Sequence, residues 1–271
     1  MSMSEQSAIS KRLQILGDDE IETLYGLPQF TPEDQAEYFA LSPQDLAAIE
    51  PLHGLKSQLY AILQLGYFRA RHRFFVFPFS AVSADVQYIQ AQYFPTIELP
   101  DDYKPIKTTR LKHQRIILEL CKYQNCDDTA RQTLLAKAQQ AARVSSRPIY
   151  IFRELLRHLE SERLIAPGYS FLQDIVSQAA GDEKDRLVSR VKRQLSQTDV
   201  EALNQLVEDA PGLYEITQLK REPKGFSLNE IKLEISRCEQ IQGLYQLTKT
   251  LLPELGISRE SIKYYASLVS F

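Results

Sequence analysis

Two short stretches early in the chain repeat one device. Thr31-Pro32-Glu33-Asp34 and Ser42-Pro43-Gln44-Asp45 each offer a hydroxyl cap, a proline at the first helical position and an acid in the first turn. Proline is suited to that place because its missing N–H would have no helical partner and its fixed φ is already helical. Thr198-Asp199-Val200-Glu201 and Ser227-Leu228-Asn229-Glu230 read as capping boxes further along. Each signal precedes apolar residues at helical spacing. The pattern predicts helices near 18–25, 32–39, 43–50, 54–71, 83–94, 109–124, 128–142, 148–163, 170–194, 199–208, 227–250 and 258–270. Ten glycines in 271 residues leave little room for tight β-turns. Only Phe74–Phe79 has the composition of a strand. Its flanks offer no pairing partner, so it reads as a buried extended linker. The fold class is all-α and multi-helical.

Breakers divide this string. Leu99–Pro105 is a proline-bounded connection, Asn125–Asp128 a polar break, and Glu222-Pro223-Lys224-Gly225 the clearest late boundary. Gln178–Lys184 is charged and contains glycine, yet it fits inside one long helix. The expected domains are residues 1–125, 126–222 and a helical segment 223–271. The last helix places Ile262, Tyr265, Ala266 and Val269 on one face and stops at Phe271 without a cap, as a piece of a longer polypeptide would. Both methionines fall within the first three residues and carry no structural weight.

Several function classes are disfavoured. No apolar run reaches the roughly 18 residues of a membrane span, and the first residues lack the basic and apolar regions of a secretion signal. Cys121, Cys126 and Cys238 make neither a disulfide framework nor a zinc-ligand spacing, and read as reduced thiols. No phosphate-binding glycine loop, nucleophile elbow or zinc-protease motif occurs. His53, His72, His113 and His158 are scattered, and no carboxylates form an interpretable metal constellation. No enzyme activity and no cofactor are expected of this stretch.

Charge is distributed unevenly. Residues 1–50 hold two cations against ten acids, while residues 101–150 hold ten cations against five. Three basic clusters stand out. Arg69, Arg71 and Arg73 close an apolar helix, where they serve either as dipole-complementing cations or as a polyanion contact. Lys107, Thr108, Thr109, Arg110, Lys112, His113 and Arg115 open another helix, with Thr108 or Thr109 as its cap. That combination is either a phosphate-binding helix start or an ordinary solvated face. Arg143, Ser145, Ser146 and Arg147 lead into a helix carrying Arg153 and Arg157. These like charges one turn apart repel unless a phosphate or Glu160 intervenes.

Five stretches, in order, resemble the N-terminal region of the Tn-three family of replicative bacterial transposases. They are Leu16–Ile21 through Tyr25-Gly26-Leu27-Pro28 with Tyr38–Ser42, then Leu59–Phe74, Lys107–Ile116, Leu159–Leu172 and Ser227–Leu247. The third has Arg110-Leu111 where the family has paired arginines, and the fourth has Ala166 where the family has leucine.

The resemblance implies sequence-specific binding of double-stranded DNA at transposon terminal inverted repeats. It implies two helix-turn-helix-like DNA-binding units with recognition helices in the major groove. The catalytic Asp-Asp-Glu triad and its divalent metal, magnesium by expectation, would lie beyond residue 271. Further implied partners are the rest of the transposase and a second copy in the full-length protein, in a bacterial cytoplasm at the nucleoid and away from membranes. The alternative is a helical protein-interaction scaffold that binds no DNA, for which the acidic first fifty residues are the candidate surface.

Overall fold

A computed structural model describes residues 13–98, 101–207, 209–210, 213–214, 219 and 222–268. Lys11, Arg12, both methionines, Leu99, Glu208, Val269 and Phe271 lie outside them. The helices are α1 Asp18–Tyr25, α2 Pro32–Tyr38, α3 Pro43–Ile49, α4 Leu55–Arg71, α5 Ser83–Tyr93, α6 Lys107–Cys121, α7 Asp128–Val144, α8 Pro148–Ser161, α9 Tyr169–Gln194, α10 Gln197–Val207, α11 Leu228–Leu255 and α12 Arg259–Leu268. A 3-10 turn, Phe79–Val82, precedes α5. The only extended pairing beyond an isolated bridge, among the described residues, is two residues long: β1 Asp209–Ala210 runs antiparallel to β2 Leu213–Tyr214. The protein is all-α.

Both early caps form as their sequences dictate. Thr31 Oγ1 accepts from Asp34 N and Ser42 Oγ from Asp45 N, each at 3.2 Å, and both aspartates return a bond to the cap backbone. Ser227 likewise caps α11. The box expected at Thr198 is displaced. Ser196 Oγ accepts from Asp199 N, so Thr198 lies inside the first turn of α10. Helix α11 runs past the expected 250 through Pro253 and stops at Gly256, whose φ of 57° favours glycine.

The chain divides into two compact units, neither a single stretch of sequence. One comprises Met1–Leu134 and Phe152–Asp174, the other Leu135–Ile151 and Ile175–Phe271. The division passes within α7, α8 and α9.

The first unit is built on α4. Every residue from Leu59 to Phe68 is buried. A helix without a polar face belongs in the centre of a bundle, and α2, α3, α5 and α6 pack against it or each other. Each fully buried leucine or phenylalanine contributes about 1.5–3 kcal/mol. Gly66 permits the α2 crossing, because a Cβ there would collide with the Phe39 ring. Tyr67 OH donates to Asp85 at 2.5 Å and Gln35 Nε2 donates to the same carboxyl group at 2.7 Å, which satisfies a buried polar side chain on α5. Phe74–Pro78 forms neither helix nor strand, Val76 within it is exposed rather than buried, and Phe79 already belongs to the 3-10 turn. The Gln64 side-chain amide pairs with its backbone, donating to Phe75 O and accepting from Phe75 N. The start of the chain is tied to α9, where Tyr169 OH accepts from Ile15 N and Leu16 N, each at 3.2 Å.

In the second unit, arginines of α9 cap the end of α11. Arg186 donates to Leu255 O at 3.1 Å, and Arg190 to Glu254 O and Leu255 O at 3.1 Å each. Ser261 of α12 binds Ser146 through both backbone and side chain. Among the described residues, no helix is long and apolar enough to cross a membrane.

Candidate nucleic-acid interface

Helix α6 separates its two sides cleanly. His113 and Ile117, one turn apart, are its buried residues. On the opposite side Lys107, Thr108, Leu111, Lys112 and Arg115 are exposed, and Lys122 follows at the C-cap. Among the described residues no ion pair holds Lys107, Lys112, Arg115 or Lys122. Glu119 is the one acid on that side. The helix opens at Lys107 with Ile106 as its N-cap and no side-chain capping bond. Thr108 and Thr109 are therefore first-turn residues, which corrects the expectation that one of them caps. The chain is already extended at Ile106 and turns helical immediately after it. The first-turn N–H groups keep no side-chain acceptor and lie beside Lys107.

His113 is corrected from a DNA contact to a core residue. It is 1% exposed, and its Nε2 shares a 2.9 Å hydrogen bond with Ser57 Oγ. Burial, and then the neighbouring Lys112, pushes its pKa down from 6.5 to about 4, so the ring is neutral. Its Nδ1 is buried without a partner. Arg110 is half-buried beside it on the helix.

The arginines ending α4 are mostly engaged inside the fold. Arg69 donates to Ala40 O and to the Asp45 carboxylate, each at 2.7 Å. Burial alone would raise the Asp45 pKa, but the bonds from Arg69 and Ser42 outweigh it and hold the carboxyl below its ordinary value. Arg73 lies over the Tyr25 ring at 3.6 Å and reaches Pro167 O. Arg71 alone of the three is exposed to solvent.

The third cluster spans both units. Arg143, Ser145, Ser146 and Arg147 belong to the second unit and Arg153 to the first. Ser145 and Ser146 are 5% and 2% exposed, and Ser146 binds Ser261 at 3.0 Å, so both are corrected from phosphate contacts to packing residues. Arg143, Arg147 and Arg153 are exposed, and Arg157 pairs with Glu154 on its own helix.

A cleft of about 310 Å³ opens in the first unit where α4, α6 and α8 end. Arg71, His72, Tyr123 and Glu160 line it, with leucines from α1 and α8. An isolated bridge between Gln124 and Leu164 ties the chain after α6 to the chain after α8. His72, Lys122 and Arg163, at φ 50°, 57° and 52°, are the non-glycine residues of positive φ among those described, and each follows one of the three helices. Such a backbone costs on the order of 1 kcal/mol per residue. Tyr123 and Glu160 are absent from the sequence-derived site. They stand 37 residues apart, and no local pattern links them.

The profile of a domain of unknown function, DUF4158, matches residues 15–179. The chain belongs to this family. No match was found among curated proteins. The DUF4158 match contains α1 through α8, hence all of α6 and every residue of the cleft. Among the described residues of this DUF4158 protein, no group of three or more His, Cys, Asp and Glu side chains is placed to hold a metal ion.

Proposed function

We propose that this DUF4158 protein binds double-stranded DNA through the outer side of α6, as the end-binding part of a transposase of the Tn-three type. The observation that carries the reading is the row of exposed cations at Lys107, Lys112, Arg115 and Lys122, none of them in an ion pair among the described residues. Long cations without protein partners suit phosphates, and the uncapped first turn of α6 adds N–H donors for another. The ordered resemblance to transposase N-terminal regions supports the choice of DNA over other polyanions and points to terminal inverted repeats as its sequence.

Fluorescence anisotropy against the inverted repeat flanking the gene, with a scrambled duplex beside it, tests this across a salt series. Tighter binding of the repeat with a steep salt dependence is expected. Each phosphate-contacting lysine removed should flatten the slope by about one unit. Equal and weak binding of both duplexes would defeat the end-recognition part. Absence of binding at low salt would defeat the whole reading.

A second reading rests on α11. Phe226 before it is 97% exposed, and Leu228, Ile235 and Tyr245 on it are 69%, 55% and 57% exposed. So much uncovered apolar surface suits protein contact. A scaffold without DNA affinity would show no salt-dependent duplex binding at all.

A further inference from the structure

Arg71, His72, Tyr123 and Glu160 converge on the cleft from three separated stretches of sequence, and duplex binding by α6 leaves their arrangement unused. The His72 and Tyr123 rings stack at 4.8 Å with 16° between their planes. Phe68 meets both edge-on, which holds the pair upright. Leu156 and Leu159 supply apolar wall. The cleft, of about 310 Å³, is at the lower end of the size range of small-ligand sites, and it carries aromatic rings of the kind on which bases stack.

The polar groups specify what enters. The Glu160 carboxylate has no hydrogen bond or ion pair among the described residues, yet it is close enough to act electrostatically on both His72 and Tyr123. A carboxylate only accepts. Helices α4, α6 and α8 also bring their electronegative C-terminal ends to this place. A ligand edge rich in N–H donors is therefore favoured inside, and Arg71, exposed on the lining, suits a phosphate. Among the common bases only guanine presents two adjacent N–H donors on one edge, as a carboxylate needs for two parallel bonds. Left-handed backbone at His72, and at Lys122 and Arg163 beside Tyr123 and Leu164, is the strain expected where side chains are aimed for a ligand.

We infer that the cleft binds a guanine nucleotide, its base stacked on an outer face of the His72–Tyr123 pair, its donor edge on Glu160 and its phosphate on Arg71. The nucleotide is either free or a guanine extruded from DNA. The extruded source rests on the DNA-binding reading, and the free source does not.

The test uses the whole chain with its histidines isotopically labelled. Guanosine 5′-monophosphate, the other nucleoside monophosphates and inorganic phosphate are titrated while the His72 resonance is followed. In parallel, anisotropy compares a duplex carrying one bulged guanine with the same duplex carrying a bulged thymine. A saturable His72 shift with the guanine nucleotide, at least tenfold weaker in Glu160→Gln, identifies the free nucleotide. At least a tenfold preference for the bulged guanine, lost in Glu160→Gln, identifies the extruded base. Glu160 is exposed, so that variant leaves the fold intact, whereas Tyr123→Ala removes packing as well. Neither signal, signals unchanged in Glu160→Gln, or the same shift with inorganic phosphate alone would overturn the inference. Fully paired duplex is measured alongside: its binding survives failure of the cleft, and its loss leaves the nucleotide titration standing.

Discussion

Arg69 and Arg73 close helix α4, while Lys107, Lys112 and Arg115 lie along α6; in sequence the two groups look alike, and in the fold they part. Arg69 satisfies Asp45, whose side chain is 5% exposed, and Arg73 covers the Tyr25 ring. Among the described residues the α6 cations have no such partners, and they face solvent. The difference follows from what stands opposite each helix. The end of α4 meets the acidic N-terminal helices, and charge is neutralised within the unit. Helix α6 turns His113 and Ile117 inward, and among the described residues no acid pairs with its outer cations. A cation with a protein partner is a stability residue, and a cation without one is available to a ligand.

The largest expected effect separates the two groups directly. The triple variant Lys107→Ala, Lys112→Ala and Arg115→Ala should lower duplex affinity about 500-fold at 0.1 M salt, because each lost phosphate contact is worth roughly 0.9 of a decade there. The melting temperature should barely move. Anisotropy and thermal unfolding on one preparation check both, and a large fall in melting temperature with affinity retained would reverse the contrast.

Next comes the inner side of the same helix. His113 is neutral in the fold with its pKa lowered to about 4. The unfolded chain takes up a proton below about pH 6.5 that the fold resists. The contribution to stability is therefore complete above that pH and declines toward pH 4, on the order of 3 kcal/mol in all. Urea unfolding at several pH values should show this decline, and His113→Gln should remove that part of it. An unchanged pH profile in the variant would mean that His113 is not held neutral.

Arg69→Ala should cost about 2 kcal/mol by leaving the Asp45 carboxylate short of its strongest donor, with duplex affinity within twofold of the parent. A marked affinity loss at unchanged stability would move Arg69 into the binding group. The smallest effect is expected at Arg157→Ala. Its pair with Glu154 is exposed on the arginine side, so denaturant unfolding should shift by no more than about 0.5 kcal/mol.

Much of the helix map was legible because its signals are local. Thr31, Ser42 and Ser227 cap as read, and the interruptions at Asn125 and Pro223 fall between helices. Errors of register arose at two expected hydroxyl caps. Ser196 took the cap from Thr198, and Ile106 left Thr108 and Thr109 within the helix. The exposed basic side of α6 was legible only in part. Lys107, Lys112 and Arg115 were readable as one basic cluster at a helix start. His113 shared their sequence cluster but sits on the opposite side of the helix, where burial changed its role.

Local chemistry along the chain therefore determined that this is an all-α protein, where most helices begin, and that positive charge gathers in residues 101–150. Those properties depend on a residue and its neighbours within one or two turns. Tertiary structure alone decided which cations stay free, that Ser145, Ser146 and His113 turn inward, and that Tyr123 and Glu160 join His72 in one cleft. Those outcomes depend on what lies opposite each side chain across the packed core, and spacing along the sequence does not encode that distance.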